Sequence, residues 1–229
     1  MNLNADLGDG SGADEAILGF VDSANIACGA HAGSISIAIA TAWRCIERGV
    51  EIGAHPSYED RAGFGRIEKA LSAKEIEALV GFQVAGLAAV VPIAYVKPHG
   101  ALYHRSQRDP DVAEAIVRVA NKHGVGVVCQ EGFELAAAAQ KEGIEFHREG
   151  FADRLLLPDG SLAPRTLPGS VLSASEAADQ AVRLVRSGRF DTICIHGDTP
   201  SAPAVAAAVR HALTEAGVKT APLRASVDT

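Results

Sequence analysis

The stretch SASEAADQAVRLVRSGRFDTICIHGDTP (173–200) contains the repeating unit from which the fold can be predicted. Ser173 and Glu176 form a capping-box pattern, in which both side chains accept hydrogen bonds from free backbone amides at a helix start. Gly188 ends the predicted helix, and the β-branched run Thr192–His196 is typical of a buried strand. The unit is therefore one helix followed by one strand.

The same alternation of helical and extended segments runs through the rest of the chain. Ser72 and Glu75 form a second capping box, and Thr199 before Pro200 predicts the start of a last long helix. Strands that alternate with helices imply a parallel sheet covered by helices. The predicted strands are Asn2–Asp6, Ser23–Cys28, Val50–Ala54, Ile93–Lys97, Val125–Cys129, Ile144–Phe151 and Thr192–His196, with Val218–Leu223 as an eighth candidate.

These units predict one α/β domain over residues 1–229, a TIM-like parallel (β/α) barrel of seven or eight strands, with an open doubly wound sheet as the alternative. In the helix after the second strand, one apolar face is expected. The Pro-rich segment 156–168 is predicted to be a loop over the site. The residues of the expected apolar face are Ile35, Ile39, Trp43 and Ile46.

Length and composition exclude several classes of protein. The chain has 229 residues, a formal net charge of −7 and 48% hydrophobic residues, and a barrel of this kind takes about 200–250 residues. Without a run of Lys or Arg, nucleic acid is not an expected partner. No apolar segment reaches the roughly 20 residues of a membrane span. The start MNLNADLGDG lacks the features of a secretory signal, and the dispersed cysteines suggest free thiols, so a cytoplasmic location is expected.

Polar and ionisable residues follow the ends of most predicted strands. In parallel α/β folds the active site lies at the carboxyl ends of the strands. Any one of these residues could be a polar group in a turn, but the whole set favours a site. The set comprises Asp6, Asn25, His31, His55, Lys97, His99, Gln130, Glu131, Glu149, Asp153, Arg154, His196 and Asp198.

The residues alone leave the chemistry open. Asp6, His31 and His55 are suitable ligand types for a divalent metal, although no H-E-x-x-H helix is present. Cys28 lies near His31 and permits a thiol nucleophile. Neither a G-x-S-x-G elbow nor a P-loop occurs, so a nucleotide would need another cradle, such as the helix start at Thr199.

Six long segments of the chain are individually distinctive: LNADLGDG (3–10), SANIACGAHAG (23–33), GAHPSYEDRAGFGR (53–66), VKPHGALYH (96–104), GFADRLLLPDGSLAPR (150–165) and ICIHGDTP (193–200). Taken together, they resemble the LamB/YcsF family of lactam utilisation proteins. They occur in the family's order and cover nearly the whole chain. The chain departs from the family pattern at Asp9, Ser11 and Ala30 and keeps the charged residues at the strand ends.

The resemblance implies a seven-stranded barrel of the glycoside hydrolase/deacetylase type. It also implies one component of an ATP-dependent 5-oxoprolinase, which acts together with the 5-oxoprolinase subunits B and C. That enzyme converts 5-oxo-L-proline, ATP and water to L-glutamate, ADP and phosphate, so ATP would be a co-substrate and a divalent metal remains open. Two alternatives are a stand-alone metal-dependent hydrolase or deacetylase acting on a small amide or sugar, and a non-catalytic binding protein that presents the lactam to its partners.

For the lactam reaction, specific roles can be assigned as hypotheses. Phosphorylation of the amide oxygen would activate the carbonyl carbon toward water. Lys97 would offset phosphate or oxyanion charge, and a proton would reach the departing nitrogen from His196 paired with Asp198. His99, His55 or Asp6 would be the general base, and Arg154 or Arg165 would bind the substrate carboxylate. The expected catalytic set is Asp6, His55, Lys97, His99, His196 and Asp198, and the expected substrate-binding set is Asn25, His31, Arg66, Glu131, Glu149, Asp153, Arg154 and Arg165.

Overall fold

Seven parallel strands form a closed barrel in sequence order, with the last strand paired to the first. The computed structural model describes residues 1–224. The closed barrel confirms the predicted fold class and excludes the open sheet. The strands are β1 (Asn2–Leu7), β2 (Ser23–Ala27), β3 (Glu51–His55), β4 (Tyr95–Val96), β5 (Gly126–Cys129), β6 (Phe146–Phe151) and β7 (Thr192–His196).

Helices follow the strands and cover the outside of the barrel. Both capping boxes form as predicted, at the starts of the helices Ala73–Ala88 and Ala174–Arg186. Two short helices, Asp14–Leu18 and Gly100–Ser106, were not predicted. The helices are α1 (Asp14–Leu18), α2 (Ile35–Arg48), α3 (Ala73–Ala88), α4 (Gly100–Ser106), α5 (Pro110–Lys122), α6 (Glu134–Glu142), α7 (Ala174–Arg186) and α8 (Ala202–Glu215). Within residues 1–224, none of them is both long and apolar enough to cross a bilayer.

The two faces of the barrel strands differ in polarity. On β1, the buried apolar side chains Leu3 and Ala5 belong to the core beneath the helices. The alternate residues of β1 point into the barrel, because successive side chains of a strand face opposite sides. There Asn4 donates from its Nδ2 to Thr192 Oγ1 at 2.7 Å and accepts from Asn25 Nδ2 at 2.7 Å. A hydrogen-bonded polar column therefore fills the barrel beneath the carboxyl ends of the strands.

The prediction of an eighth strand at Val218–Leu223 is wrong. This segment crosses the amino end of the barrel, where the Ala221 amide donates to Met1 O at 2.9 Å and the Leu223 amide donates to Glu51 Oε2 at 3.0 Å. Pairing of β7 with β1 leaves the sheet without a free edge among the described residues. An eighth strand therefore has nothing to pair with.

The predicted start of α8 is also wrong. The helix begins at Ala202, and its N-cap is Ser201, not Thr199. Pro203 occupies the first turn, where a missing backbone N–H costs nothing. Both Pro200 and Pro203 fit a first-turn position, so the local sequence cannot choose between them. The anion-binding helix start expected directly after β7 is therefore not formed at Thr199.

The predicted apolar face of α2 is not the face that packs on the barrel. Small residues are buried there, including Ala38, Ala42 and Cys45. By contrast, Ile35 is 77% exposed and Trp43 is 56% exposed, and Ile46 is exposed as well. Apolar periodicity identified the helix correctly. Close packing against the strands selects the small side chains, and the large ones are left on the flank.

Candidate active site

A cavity of about 560 Å³ opens at the carboxyl ends of the strands. Its walls come from the ends of five strands (β1, β3, β4, β6 and β7), from the loop between β3 and α3, from α4 and from the loop after β6. That loop includes the predicted Pro-rich segment, which forms no helix or strand. The polar and aromatic lining residues are Asp6, His55, Arg66, Lys97, His99, Tyr103, His104, Arg108, Phe151, Arg154, Arg165, Thr166 and His196.

Lys97 lies at the floor of the cavity and is almost fully buried. Its Nζ is 2.6 Å from Glu149 Oε1, 3.1 Å from Asp6 Oδ1 and 3.0 Å from Cys194 Sγ. Burial favours the neutral amine, but the charge of Asp6 and the other partners hold the pKa of Lys97 well above its usual range. The ammonium group is therefore retained, and it is already committed to neighbouring side chains.

Asp6 presents its two carboxylate oxygens to different neighbours. Oδ1 accepts from Lys97 and from Asn25 Nδ2 at 2.8 Å. Oδ2 lies 3.3 Å from His55 Nε2 and 4.0 Å from His196 Nε2. Burial alone would raise the pKa of Asp6, but its neighbours His55 and Lys97 hold it well below its usual range. Asp6 is therefore an anion, with Oδ1 bound to Lys97 and Asn25 and with Oδ2 directed toward His55 and His196.

Three histidines pack together beside Asp6. The rings of His31 and His99 are stacked with centroids 3.9 Å apart, and His99 Nδ1 is 3.0 Å from His55 Nε2. His31 Nδ1 is 2.7 Å from the hydroxyl of Ser57. Burial lowers the pKa of His31 to about 3 and that of His99 well below its usual range. Both rings are therefore neutral.

The loop before α3 closes over these rings. Phe64 has a φ of 54°, in the left-handed region that few non-glycine residues adopt. Its carbonyl oxygen lies 2.9 Å from His99 Nε2. The next residue is Gly65, where an added Cβ would lie 2.8 Å from the His31 Cβ and 2.9 Å from the His99 Cδ2. The strained turn therefore fixes the orientation of His99.

The sequence predicts that His196 pairs with Asp198. In the structure His196 pairs with Asp153 instead. His196 Nδ1 is 2.9 Å from Asp153 Oδ1, and its backbone amide donates to Asp153 Oδ2 at 2.9 Å. Asp198 instead accepts from Arg165 at 3.0 Å and pairs with Arg66. Asp153 follows β6, which is hydrogen-bonded to β7. The two side chains therefore meet across neighbouring strands.

Guanidinium groups form the outer wall of the cavity. Arg66 and Arg165 are bound to Asp198, whereas the buried Arg154 donates to the backbone carbonyls of Ser170 and Ala163. Burial and then repulsion by Arg165 lower the pKa of Arg154 to about 10. A buried guanidinium bound only to neutral carbonyls is suited to an anionic ligand.

Residues 1–228 match the LamB/YcsF family over nearly the whole chain. The chain belongs to the LamB/YcsF family. It is 42% identical to the A component of 5-oxoprolinase from Chloroflexus aggregans, over 95% of this chain and 96% of that one. The protein of the same name from Thermus thermophilus is 41% identical, over 96% of this chain and 98% of that one.

Solved structures agree with this membership. The lactam utilization protein from Thermus thermophilus has a TM-score of 0.88 and 39% identity, covering 96% of this chain and 98% of that one. A family 4 carbohydrate esterase from Streptomyces lividans has a TM-score of 0.58 at 10% identity, over 96% of this chain and 90% of that one. At that identity the likeness shows only that the LamB/YcsF barrel has the deacetylase type of fold.

Of the thirteen strand-end residues predicted in this LamB/YcsF chain, six line the cavity and seven do not. The six are Asp6, His55, Lys97, His99, Arg154 and His196. Glu131 is exposed on the loop after β5 and does not line the cavity. Asn25 and Glu149 lie beneath the floor, where they bind Asp6 and Lys97. Cys28 is not among the lining residues, and burial raises its pKa to about 12, which does not favour a thiol nucleophile.

Sequence reasoning missed several lining residues. His104 and Arg108 lie on α4 and just after it, and both face the cavity. The family-like segment VKPHGALYH contains His104, and that was the available signal. Phe151 lies in the family-like segment 150–165 and had the same signal, but it is apolar, and the sequence reasoning considered only polar and ionisable residues at the strand ends.

Proposed function

We propose that this chain is the lactam-opening component of an ATP-dependent 5-oxoprolinase and works with subunits B and C. The observation that carries the proposal is the identity of about 40% to proteins named as the A component of 5-oxoprolinase, over almost their full length. The product would be L-glutamate, with ADP and phosphate formed from ATP. The cavity supports the proposal because it combines an anion-binding wall with groups that can move protons.

The basic wall suits the anionic parts of such a substrate. Arg154 is the first choice for the carboxylate of 5-oxoproline, because within residues 1–224 its guanidinium is bound only to backbone carbonyls. Arg108 and Arg165 line the same cavity and add positive charge for a phosphorylated amide oxygen. Phosphorylation makes the ring carbon easier for water to attack, and the phosphate leaves only after the ring has opened.

The His196–Asp153 pair is the first choice for proton transfer. Asp153 accepts the hydrogen of His196 Nδ1 and so leaves the Nε2 lone pair facing the cavity. Water adds to the ring carbon that bears the phosphorylated oxygen and loses a proton to Nε2, and the C–N bond then breaks as the nitrogen receives a proton, which leaves an acyl phosphate of glutamate. A second water cleaves this acyl phosphate to glutamate and phosphate. Lys97 acts as a positioning residue, because its ammonium fixes Asp6 and Glu149.

The test is glutamate release from 5-oxoproline and ATP by the purified chain, with and without subunits B and C. We expect glutamate only when all three proteins are present. Lys97→Met should reduce turnover to background while circular dichroism shows an unchanged fold. The matched control is Lys122→Met, since Lys122 is exposed on α5 and binds Glu77.

Two results would contradict the proposal. If no combination of the three proteins releases glutamate, the chain does not have this activity. If Lys97→Met supports turnover like that of the unaltered chain, Lys97 has no part in the reaction. If no glutamate is released, the second candidate is a stand-alone metal-dependent hydrolase, which the cluster of Asp6, His55 and His99 favours. It would deacetylate small amides or acetylated sugars without partners.

A further inference from the structure

Backbone carbonyls determine which ring nitrogens of two buried histidines carry hydrogen. His55 Nδ1 lies 2.7 Å from Lys97 O, and His99 Nε2 lies 2.9 Å from Phe64 O. A carbonyl oxygen only accepts hydrogen bonds, so each of these nitrogens must be the donor. In a neutral imidazole the other nitrogen is then a bare lone pair. His55 Nε2 and His99 Nδ1 are the two nitrogens left in that state.

These two lone pairs face each other and a carboxylate oxygen. His99 Nδ1 is 3.0 Å from His55 Nε2, which is in turn 3.3 Å from Asp6 Oδ2. All three atoms lie within 4.8 Å of one another. The other oxygen of Asp6 already accepts from Lys97 and Asn25. Three acceptors therefore converge, and hydrogen bonds between neutral rings and a carboxylate cannot join them.

We infer that Asp6 Oδ2, His55 Nε2 and His99 Nδ1 form a binding site for one divalent first-row transition ion, with Zn²⁺ as the first choice. Metal–nitrogen and metal–oxygen bonds of about 2.0–2.2 Å place neighbouring ligand atoms roughly 3.0–3.4 Å apart. The observed separations of 3.0 and 3.3 Å have this size. Two imidazoles and one carboxylate are a ligand set that Zn²⁺ accepts in hydrolases.

The surroundings of the three ligands are those of a metal site. Metal-binding histidines usually donate their second N–H to a backbone carbonyl or a carboxylate, which fixes the ring. Both rings do so here, and the left-handed backbone at Phe64 aims one of the two carbonyls. Asp6 is held from behind by Lys97. The orientation of each ligand is therefore fixed by a neighbour outside the set.

A second group of potential ligands shares Asp6 but suits a cation less well. It consists of Asp6, Cys194 and His196. Cys194 Sγ lies 3.0 Å from the ammonium group of Lys97, which would repel a second cation at that sulfur. His31, expected from sequence to be a ligand, turns its Nδ1 to Ser57 and stacks on His99 instead. The geometry therefore selects His99 as the third ligand.

The site borders the cavity, because all three ligand residues are among its lining. Bound there, a divalent ion would act as a Lewis acid toward a carbonyl oxygen of the ligand in the cavity. The inference goes beyond the proposed function, since it concerns metal binding whichever amide is the substrate. The competing explanation is a charged His55 ring that donates Nε2–H to Asp6 or His99 and needs no metal.

Metal binding by the full-length chain, freed of its affinity tag and dialysed against chelator, separates the two explanations. Isothermal titration with Zn²⁺ should show one ion per chain with a micromolar or lower Kd. Co²⁺ should produce a visible absorption band of a site with nitrogen ligands, and elemental analysis should agree with the stoichiometry. None of these readouts depends on catalysis, so a failure of the 5-oxoprolinase proposal would not alter them.

Variants assign the ligands. His55→Ala, His99→Ala and Asp6→Asn should each weaken Zn²⁺ binding by about 100-fold or more. The matched control is His104→Ala, because His104 lines the same cavity outside the ligand set. This variant should bind Zn²⁺ with unchanged affinity. If His99→Ala does not fold by circular dichroism, His99→Asn takes its place. The inference is overturned if the unaltered chain binds no Zn²⁺, or if both histidine variants bind Zn²⁺ as tightly as the unaltered chain does.

Discussion

At the scale of single residues, the pairing of His196 with Asp153 has a measurable consequence. Asp153 is almost fully buried and accepts from both the ring and the backbone amide of His196. The carboxylate therefore sets which ring nitrogen carries hydrogen and which faces the cavity. An amide at this position has the same shape but can also donate, and it would stabilise the wrong tautomer.

We expect Asp153→Asn to lower kcat of the reconstituted enzyme by about 100-fold or more, with little change in KM, because proton transfer contributes about 10²–10⁴-fold. Steady-state glutamate release measures both constants. Asp191→Asn is the matched control, since Asp191 pairs with Arg148 on another part of the chain. An unaltered kcat in Asp153→Asn would remove the pair from the mechanism.

At the scale of elements, the contact between β3 and β4 depends on a missing side chain. Gly53 pairs with Tyr95, and a Cβ at Gly53 would lie 2.0 Å from Tyr95 Cε2. The Tyr95 ring is fully buried and donates its hydroxyl hydrogen to Asn25 Oδ1 at 2.7 Å. Because Asn25 in turn donates to Asp6, a displaced ring would disturb the floor of the site.

Gly53→Ala should therefore lower the free energy of unfolding by about 1–3 kcal/mol, the usual cost of overpacking a core. Urea denaturation measures it. The matched control is Gly86→Ala in α3, where an added Cβ meets nothing within 4 Å. That change should stabilise the chain by up to about 1 kcal/mol, because alanine is the better helix former. Equal effects of the two substitutions would show that the contact with Tyr95 is unimportant.

At the scale of the whole molecule, polar side chains close the barrel between its first and last strands. Thr192 Oγ1 donates to Asn2 Oδ1 at 2.6 Å and accepts from Asn4 Nδ2 at 2.7 Å. All three residues are buried. These hydrogen bonds join the first and last strands of the barrel. They therefore contribute to stability only when the barrel is complete.

Thr192→Val should lower the free energy of unfolding by about 1–3 kcal/mol, because it leaves buried amide groups unpaired. Thermal denaturation should still show one transition, at a lower Tm. Thr214→Val on the exposed face of α8 is the control and should change stability by less than about 0.5 kcal/mol. A loss in Thr192→Val as small as in the control would mean that these bonds do not hold the barrel closed.

Local chemistry in the sequence was sufficient for the fold class and for much of the site. Ser72 with Glu75 and Ser173 with Glu176 form the predicted capping boxes, because a cap involves residues only three positions apart. Strand ends could be placed because each strand has its own apolar run and its own stop. Parallel strands then bring those ends to one side, so Asp6, His55, Lys97, His99 and His196 were correctly expected in one place.

Only the tertiary structure decided which of these residues meet. His196 contacts Asp153 and not Asp198 because β6 and β7 are neighbours in the barrel. That contact cannot be predicted from the spacing of these residues in the sequence. His99 and not His31 turns its Nδ1 to Nε2 of His55, because a strained turn at Phe64 directs the ring. Local interactions are determined by residues that are close together in the sequence. Pairing between distant segments depends on barrel curvature and loop packing, which arise only when the barrel closes.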